Sequence, residues 1–222
     1  MYLDPIVTIR NFGKLTQTAG TVITRLIPPV SKAFTRVTSF WYNCSTTAHT
    51  LTVMRPLGKT YFTADAAAAQ AVVNIERDPG AYSAYGTINT ANNVIAASDF
   101  CVYKTADGNY VLDTVSSVAT LAITMATNVP TATVKKGDPF WFFGVIGDTN
   151  PNDNLAHPQF TLPASVVTSF DEAYGFASSI PGLKTGTLQW PLDGTDCPII
   201  LHSGNATVAG VIEKTTAVYT AW

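Results

Sequence analysis

Charge is the scarcest commodity in this sequence. Asp, Glu, Lys and Arg make up 13% of its 222 residues, about half the roughly 25% usual in soluble domains. A surface so poor in charge resists association weakly, because net charge near zero favours contact between molecules. The shortage points to a chain normally docked on a partner. Cysteine is also rare. Cys44, Cys101 and Cys197 are an odd, widely spaced set with no CxxC pair, which argues against a disulfide framework or a zinc knuckle. They read as small buried hydrophobes, and the Asn-x-Ser/Thr triplets at Asn43 and Asn205 read as accidental. Long apolar runs are missing too. The first 20 residues include Asp4 and Pro5 and hold no apolar core of a signal peptide. No window approaches the roughly 18 apolar residues of a membrane helix.

Recognisable chemistry is equally thin. The sequence has no GxSxG, GxxxxGK[ST], HExxH or GxGxxG. His202 and Ser203 are neighbours on an expected strand, so they point to opposite faces and form no nucleophile–base pair. His49 and His157 stand alone, without a second ligand at metal-binding spacing. Asp171 and Glu172 suit the first turn of a short helix better than acid–base work. In the loop 147–154, Asp148, Asn150, Asn152 and Asn154 match positions 1, 3, 5 and 7 of a calcium loop. Asp153 then stands where that loop needs Gly and Gln159 where it needs Glu, so the segment reads as an Asn/Pro turn. The expectation is a non-enzyme with no catalytic, cofactor-binding or metal residues and no cofactor.

What the sequence does hold is β-forming text. Thr occurs 32 times and Ala 27 times, and hydrophobic residues reach 46%. About ten to twelve short apolar runs alternate with turn signals, which predicts an all-β fold, a β-barrel or a jelly-roll-like β-sandwich. The clearest hairpin is DFCVYKTADGNYVLDTV, turned at Ala106-Asp107-Gly108-Asn109. Lys136-Gly137-Asp138 marks another turn, and Ser203-Gly204-Asn205 is expected to turn a closing hairpin. Two short helices are expected. One lies over the Ala run 66–69, with Thr63 as N-cap and Asp65 in its first turn. The other lies near 169–177, where Ser169 and Glu172 have capping-box spacing.

Charge is also unevenly placed. Residues 1–60 carry Arg10, Lys14, Arg25, Lys32, Arg36, Arg55 and Lys59 against Asp4 alone, a balance of +6, and the remainder carries −8. The first quarter is thus expected to meet an acidic partner. Its basic residues are single, without the dense runs that mark nucleic-acid binding, so a protein surface is the expected target and no direct nucleic-acid contact is read. Domain organisation is read as an extended N-terminal arm at 1–36 and one β-domain at 37–222. Gly13, Gly20 and Pro28-Pro29 break the arm, which is expected to order on its partner. Val22, Ile23, Leu26 and Ile27 would supply its apolar strip. Arg10, Lys14, Arg25, Lys32 and Arg36 would supply its charges. Deleting residues 1–30 is then expected to leave a folded domain that no longer docks.

The segments VTSFWYNCSTTAHTLTVMRPLGKTYFTADAAAAQAVVNIERDPG and ASDFCVYKTADGNYVLDTVSSVATLAITMATNVPTATVKKGDPFWFFG, with the closing LHSGNATVAGVIEKTTAVYTAW, resemble small virion proteins of tailed bacteriophages. The resemblance is to head decoration, or cement, proteins. It rests on texture: Thr/Ala-rich strands, a DG hairpin and a KKGD turn before an aromatic strand. It implies a structural protein on the outer capsid surface of the virion, made in the host cytoplasm, clamping neighbouring major capsid protein subunits. It also implies a homo-oligomer, with a trimer as the expected state, and no membrane contact. Two other classes stay open: another virion component (tail, connector or minor capsid protein), and a receptor- or carbohydrate-binding β-domain using Trp41, Tyr42, Trp141, Trp190 and Trp222.

Overall fold

β-Branched and aromatic runs separated by Gly, Pro and Asn leave this chain little choice but strands. The computed structural model describes residues 6–17, 24–44, 49–54, 56, 58–76, 95, 97–119, 121–127, 133–144, 159–162, 167–171, 198–203 and 210–221. Among these residues every regular element is a β-strand and every pairing is antiparallel. The chain divides into two compact units, residues 1–55 with 157–222, and residues 56–156. The boundary expected at residue 36 falls inside a strand, and residues 6–17 and 24–36 contribute strands to the first unit.

Among the described residues that unit shows β1 (Ile6–Phe12), β2 (Leu15–Gln17), β3 (Thr24–Ile27), β4 (Ala33–Cys44), β5 (His49–Met54), β12 (Gln159–Leu162), β13 (Val167–Asp171), β14 (Ile199–Ser203) and β15 (Gly210–Ala221). One sheet runs β1-β15-β4-β13, with β2 also on β15, and a second runs β12-β5-β14-β3. β15 and β4 pair along their whole twelve-residue lengths, with register shifts between Ile212 and Lys214 and between Thr216 and Ala217. In β14, Ile199, Ile200 and Leu201 are all fully buried. That continuous apolar run is the signature of a strand covered on both faces. Tyr219 on β15 donates its hydroxyl to Pro28 O at 3.0 Å, tying the first sheet to the end of β3.

The second unit contains the remaining strands: β6 (Gly58–Tyr61), β7 (Val72–Asn74), β8 (Phe100–Lys104), β9 (Tyr110–Ala119), β10 (Ala122–Met125) and β11 (Pro139–Gly144). Their order is β6-β11-β8-β9-β10-β7. A bridge between Phe62 and Ile75 joins the two ends, with Glu76 N donating to Tyr61 O at 2.8 Å and Thr63 N to Asn74 O at 2.9 Å. The sheet thereby curls back on itself as a half-barrel whose two end strands meet at that bridge. Inside, Phe62 meets Tyr103 and Phe140 edge-on at 6.2 and 5.8 Å, while Tyr103 stacks on Phe140 at 6.5 Å. Ile75, Val115, Ile123, Met125, Val134 and Phe142 belong to the same core.

Several local expectations are corrected. The Ala run is no helix: Ala66 exchanges two hydrogen bonds of 3.1 Å with Val134, and a turn follows in which Gln70 N donates to Ala67 O. Four alanines are too few to nucleate a helix against strands that claim their backbone groups. Ser169 lies in β13, paired with Trp41, so the helix expected at 169–177 does not begin there, and Glu172 and beyond lie outside the described residues. Ser203 ends a strand that pairs with β3 and β5, whereas β15 pairs with β1, β2 and β4. The two strands flanking Gly204 therefore belong to different sheets and form no hairpin. The hairpin at 106–109 and the turn at 136–138 are present, with Gly108 and Gly137 at φ 88 and 84.

Candidate functional site

Two of the basic residues that set the first quarter apart, Arg10 and Lys14, lie on or beside a strand that is outermost in the first sheet among the described residues. β1 and β2 lie along the same side of β15 in one register, Phe12 opposite Thr215 and Leu15 opposite Ile212. They amount to a single edge strand interrupted at Gly13-Lys14. The interruption falls beside the β15 register shift at Ile212/Lys214. There Arg25 Nη2 donates to the Gly13 carbonyl, fixing the break from the neighbouring sheet. Burial pulls the Arg25 guanidinium down from its ordinary pKa, but a guanidinium stays charged in proteins.

Side-chain exposure along β1 is unusual. Residues 7–11 are all exposed, Val7 at 54% and Ile9 at 63%. Successive residues alternate faces, so Val7 and Ile9 share one face while Thr8 and Arg10 share the other. On that second face Arg10 is folded back over the Tyr219 ring, 5.4 Å from its centroid. Lys14 is exposed at the break, and Lys32 is exposed in the turn before β4 with φ 58.

The other expected docking residues are placed differently. Leu26 is half-buried and Ile27 fully buried, paired in β3 with Ile200 and Ile199. Their apolar surface is spent inside the unit. Arg36 lies on β4, while Val22 and Ile23 lie outside the described residues. Arg10 thus lies on β1 and Lys14 just beyond it, while Arg25 reaches this edge from β3 through its bond to Gly13 O. The exposed apolar pair of β1 is Val7 and Ile9, which the sequence reading did not single out. The signal was present in IVTIRNF as alternation, but only the pairing shows that this strand is an edge.

His202 pairs with Thr52, three residues along β5 from His49, and burial lowers its pKa from 6.5. His157, Asp148 and the loop 147–154 lie outside the described residues, and Asp171 ends β13 opposite Ser39. Among the described residues no three of His, Cys, Asp or Glu gather as a metal group would require. In the barrel Cys101 is fully buried, and burial, with the charges of Asp113 and Asp99, pushes its thiol pKa up. Tyr103 is raised likewise, chiefly by burial. Trp141, one of the aromatics weighed for glycan binding, is 1% exposed, with Lys59 Nζ 5.5 Å from its ring and Tyr110 at 6.0 Å. Trp190 and Trp222 lie outside the described residues.

No family model matches the chain, and no curated protein matches it. Among solved structures it is similar to VP17, a capsid protein of bacteriophage P23-77, at 7% identity over 97% of each chain with a TM-score of 0.21. It is also similar to the VP2 subviral particle of infectious bursal disease virus, at 10% identity over 96% of this chain and 41% of that one, with a TM-score of 0.14. Both scores are far below those of a shared fold, and neither likeness carries an inference about this chain.

Proposed function

We propose that this chain is a non-enzymatic structural protein of a bacteriophage virion, bound to the outer capsid surface and strengthening the shell by bridging neighbouring major capsid subunits. The observation that carries the reading is the edge strand. A strand whose residues 7–11 are exposed on both faces, with Val7 and Ile9 in water and Arg10 and Lys14 along it, is a poor ending for a free monomer. It suits an assembly in which a neighbour covers it. The basic balance of the first quarter adds attraction to an acidic shell, and the scarcity of charge elsewhere fits a protein normally held at high local concentration. Each exposed ion pair contributes only about 0.2–1 kcal/mol. Many linked copies on one particle convert such contacts into tight binding.

The test is co-sedimentation with purified heads. The wild-type chain is expected to pellet at a fixed ratio to capsid protein, and Arg10→Glu/Lys14→Glu/Lys32→Glu to stay in the supernatant at physiological salt. Equal pelleting of the triple variant would remove the basic first quarter from the docking surface.

A further inference from the structure

We propose that β1 pairs antiparallel with β1 of a second copy of this chain, with Thr8 of each copy at the two-fold axis. The inference rests on the reading of the chain as an assembly protein and names what covers its exposed edge. Among the described residues β1 pairs with β15 on one side only, so along Val7–Arg10 alternate backbone N–H and C=O groups point to the other side and can take a partner strand. Natural edges are blunted by charge, proline, bulges or shortness. Ile6–Phe12 is seven residues long and carries one charge, Arg10, which is drawn back over Tyr219. The edge is unguarded.

The sequence of β1 fits itself. With Thr8 opposite Thr8, Val7 of each copy faces Ile9 of the other, so both exposed apolar residues are covered on one face of the joined sheets. Thr–Thr and aliphatic cross-strand pairs are favourable, whereas directly opposed like charges are not. Arg10 of each copy lies opposite Ile6, and the two Arg10 residues stand four positions apart, about 14 Å along the strands. No like charges face one another. This register also joins residues of the same parity, so whichever backbone groups point outward on one copy meet the matching set on the other. The contact is isologous and closes after two copies. It welds two four-stranded-wide sheets into one and gives the proposed shell protein a span reaching two capsid subunits at once.

The measurement is disulfide trapping in the full chain, beside sedimentation velocity. At a two-fold Thr8–Thr8 pair the Cα atoms stand about 4.5–5.5 Å apart, within the 4.4–6.8 Å a disulfide accepts. Mild oxidation of Thr8→Cys is expected to give a covalent dimer whose linked peptide, identified by mass spectrometry, joins position 8 to position 8. Arg10→Cys is expected to give none, because its partner position is too distant. Both sites are exposed, so folding is retained. Wild type is expected to show concentration-dependent dimers, and Ile9→Lys to weaken them at least about tenfold. Equal yields from the two cysteine variants overturn the register. A wild-type chain that stays monomeric up to about 1 mM, with no cross-link at position 8, overturns the pairing itself. Head binding is scored separately. Monomers that still saturate heads sink this inference alone, and dimers that ignore heads sink the proposed function alone.

Discussion

At the scale of single residues, the barrel core depends on a few aromatic rings. Phe140 is fully buried between Phe62 and Tyr103, so Phe140→Ala removes a ring that its neighbours cannot easily refill. A loss of about 3–5 kcal/mol is expected, measured as a lowered urea midpoint of the barrel unit. A loss below about 1 kcal/mol would show that the core re-closes around the gap. Cys101 makes a second case. Its thiol is fully buried and its pKa raised by that burial, and the thiolate is the reactive form. Its peptide should therefore resist iodoacetamide in the folded chain and be labelled on denaturation. The sequence showed this residue as a small hydrophobe on an alternating strand, and that much was legible. Nothing in the sequence showed Ile27 going to the interior while Val7 and Ile9 stay in water, because burial depends on which strands cover which.

Elements differ in how far away their determinants lie. The β8–β9 turn is local: the Asp107 carboxylate accepts from Thr105 Oγ1 and from Asn109 Nδ2 at 2.7 Å, and Gly108 takes the positive φ. All the needed residues sit in one pentapeptide, so the hairpin could be read directly. The 136–138 turn is similar, with Asp138 N bonding Lys135 O and Gly137 at φ 84 with open space where a Cβ would go. Gly137→Ala should then cost only the left-handed backbone penalty, about 1–2 kcal/mol, with no steric addition. A thermal-melt shift well beyond that range would mean the turn also rearranges. Strand β1, by contrast, pairs with residues 215–221, and no local pattern identifies a partner that distant. The closing hairpin failed for the same reason: a Ser-Gly-Asn turn signal was outweighed by pairings of β14 and β15 in separate sheets. The edge strands β1, β2 and β3 also hold their own sheets together, so deleting residues 1–30 removes structure as well as charge, and point substitutions are the sounder probe of docking.

For the whole molecule, the two units should answer acid differently. Burial depresses the His202 pKa below its ordinary 6.5, so the unfolded chain takes up the proton first. Stability in the first unit is then full above pH 6.5 and falls as pH drops from there through the folded value. In the barrel unit, Asp65 is held below 3.8 by its hydrogen bond with Lys135, then by Lys136 N–H, and Asp107 by Thr105. Their contribution is full above about 3.8 and is lost only as pH falls through the lower folded values. Hydrogen exchange at pH 7 and pH 5 should therefore show protection falling in β14 while β8 and β11 hold. Equal losses in both would place the acid-sensitive group elsewhere. The all-β class was legible from composition and turn spacing, whereas the division into two units was not, since the first is assembled from the two ends of the chain. A density map of the virion would show directly where this molecule sits. Density for this chain is expected on the outer shell, bridging adjacent capsid subunits, with residues 6–14 at a contact. Particles whose outer surface lacks it, or that carry it only in the tail, would overturn the proposed role on the shell.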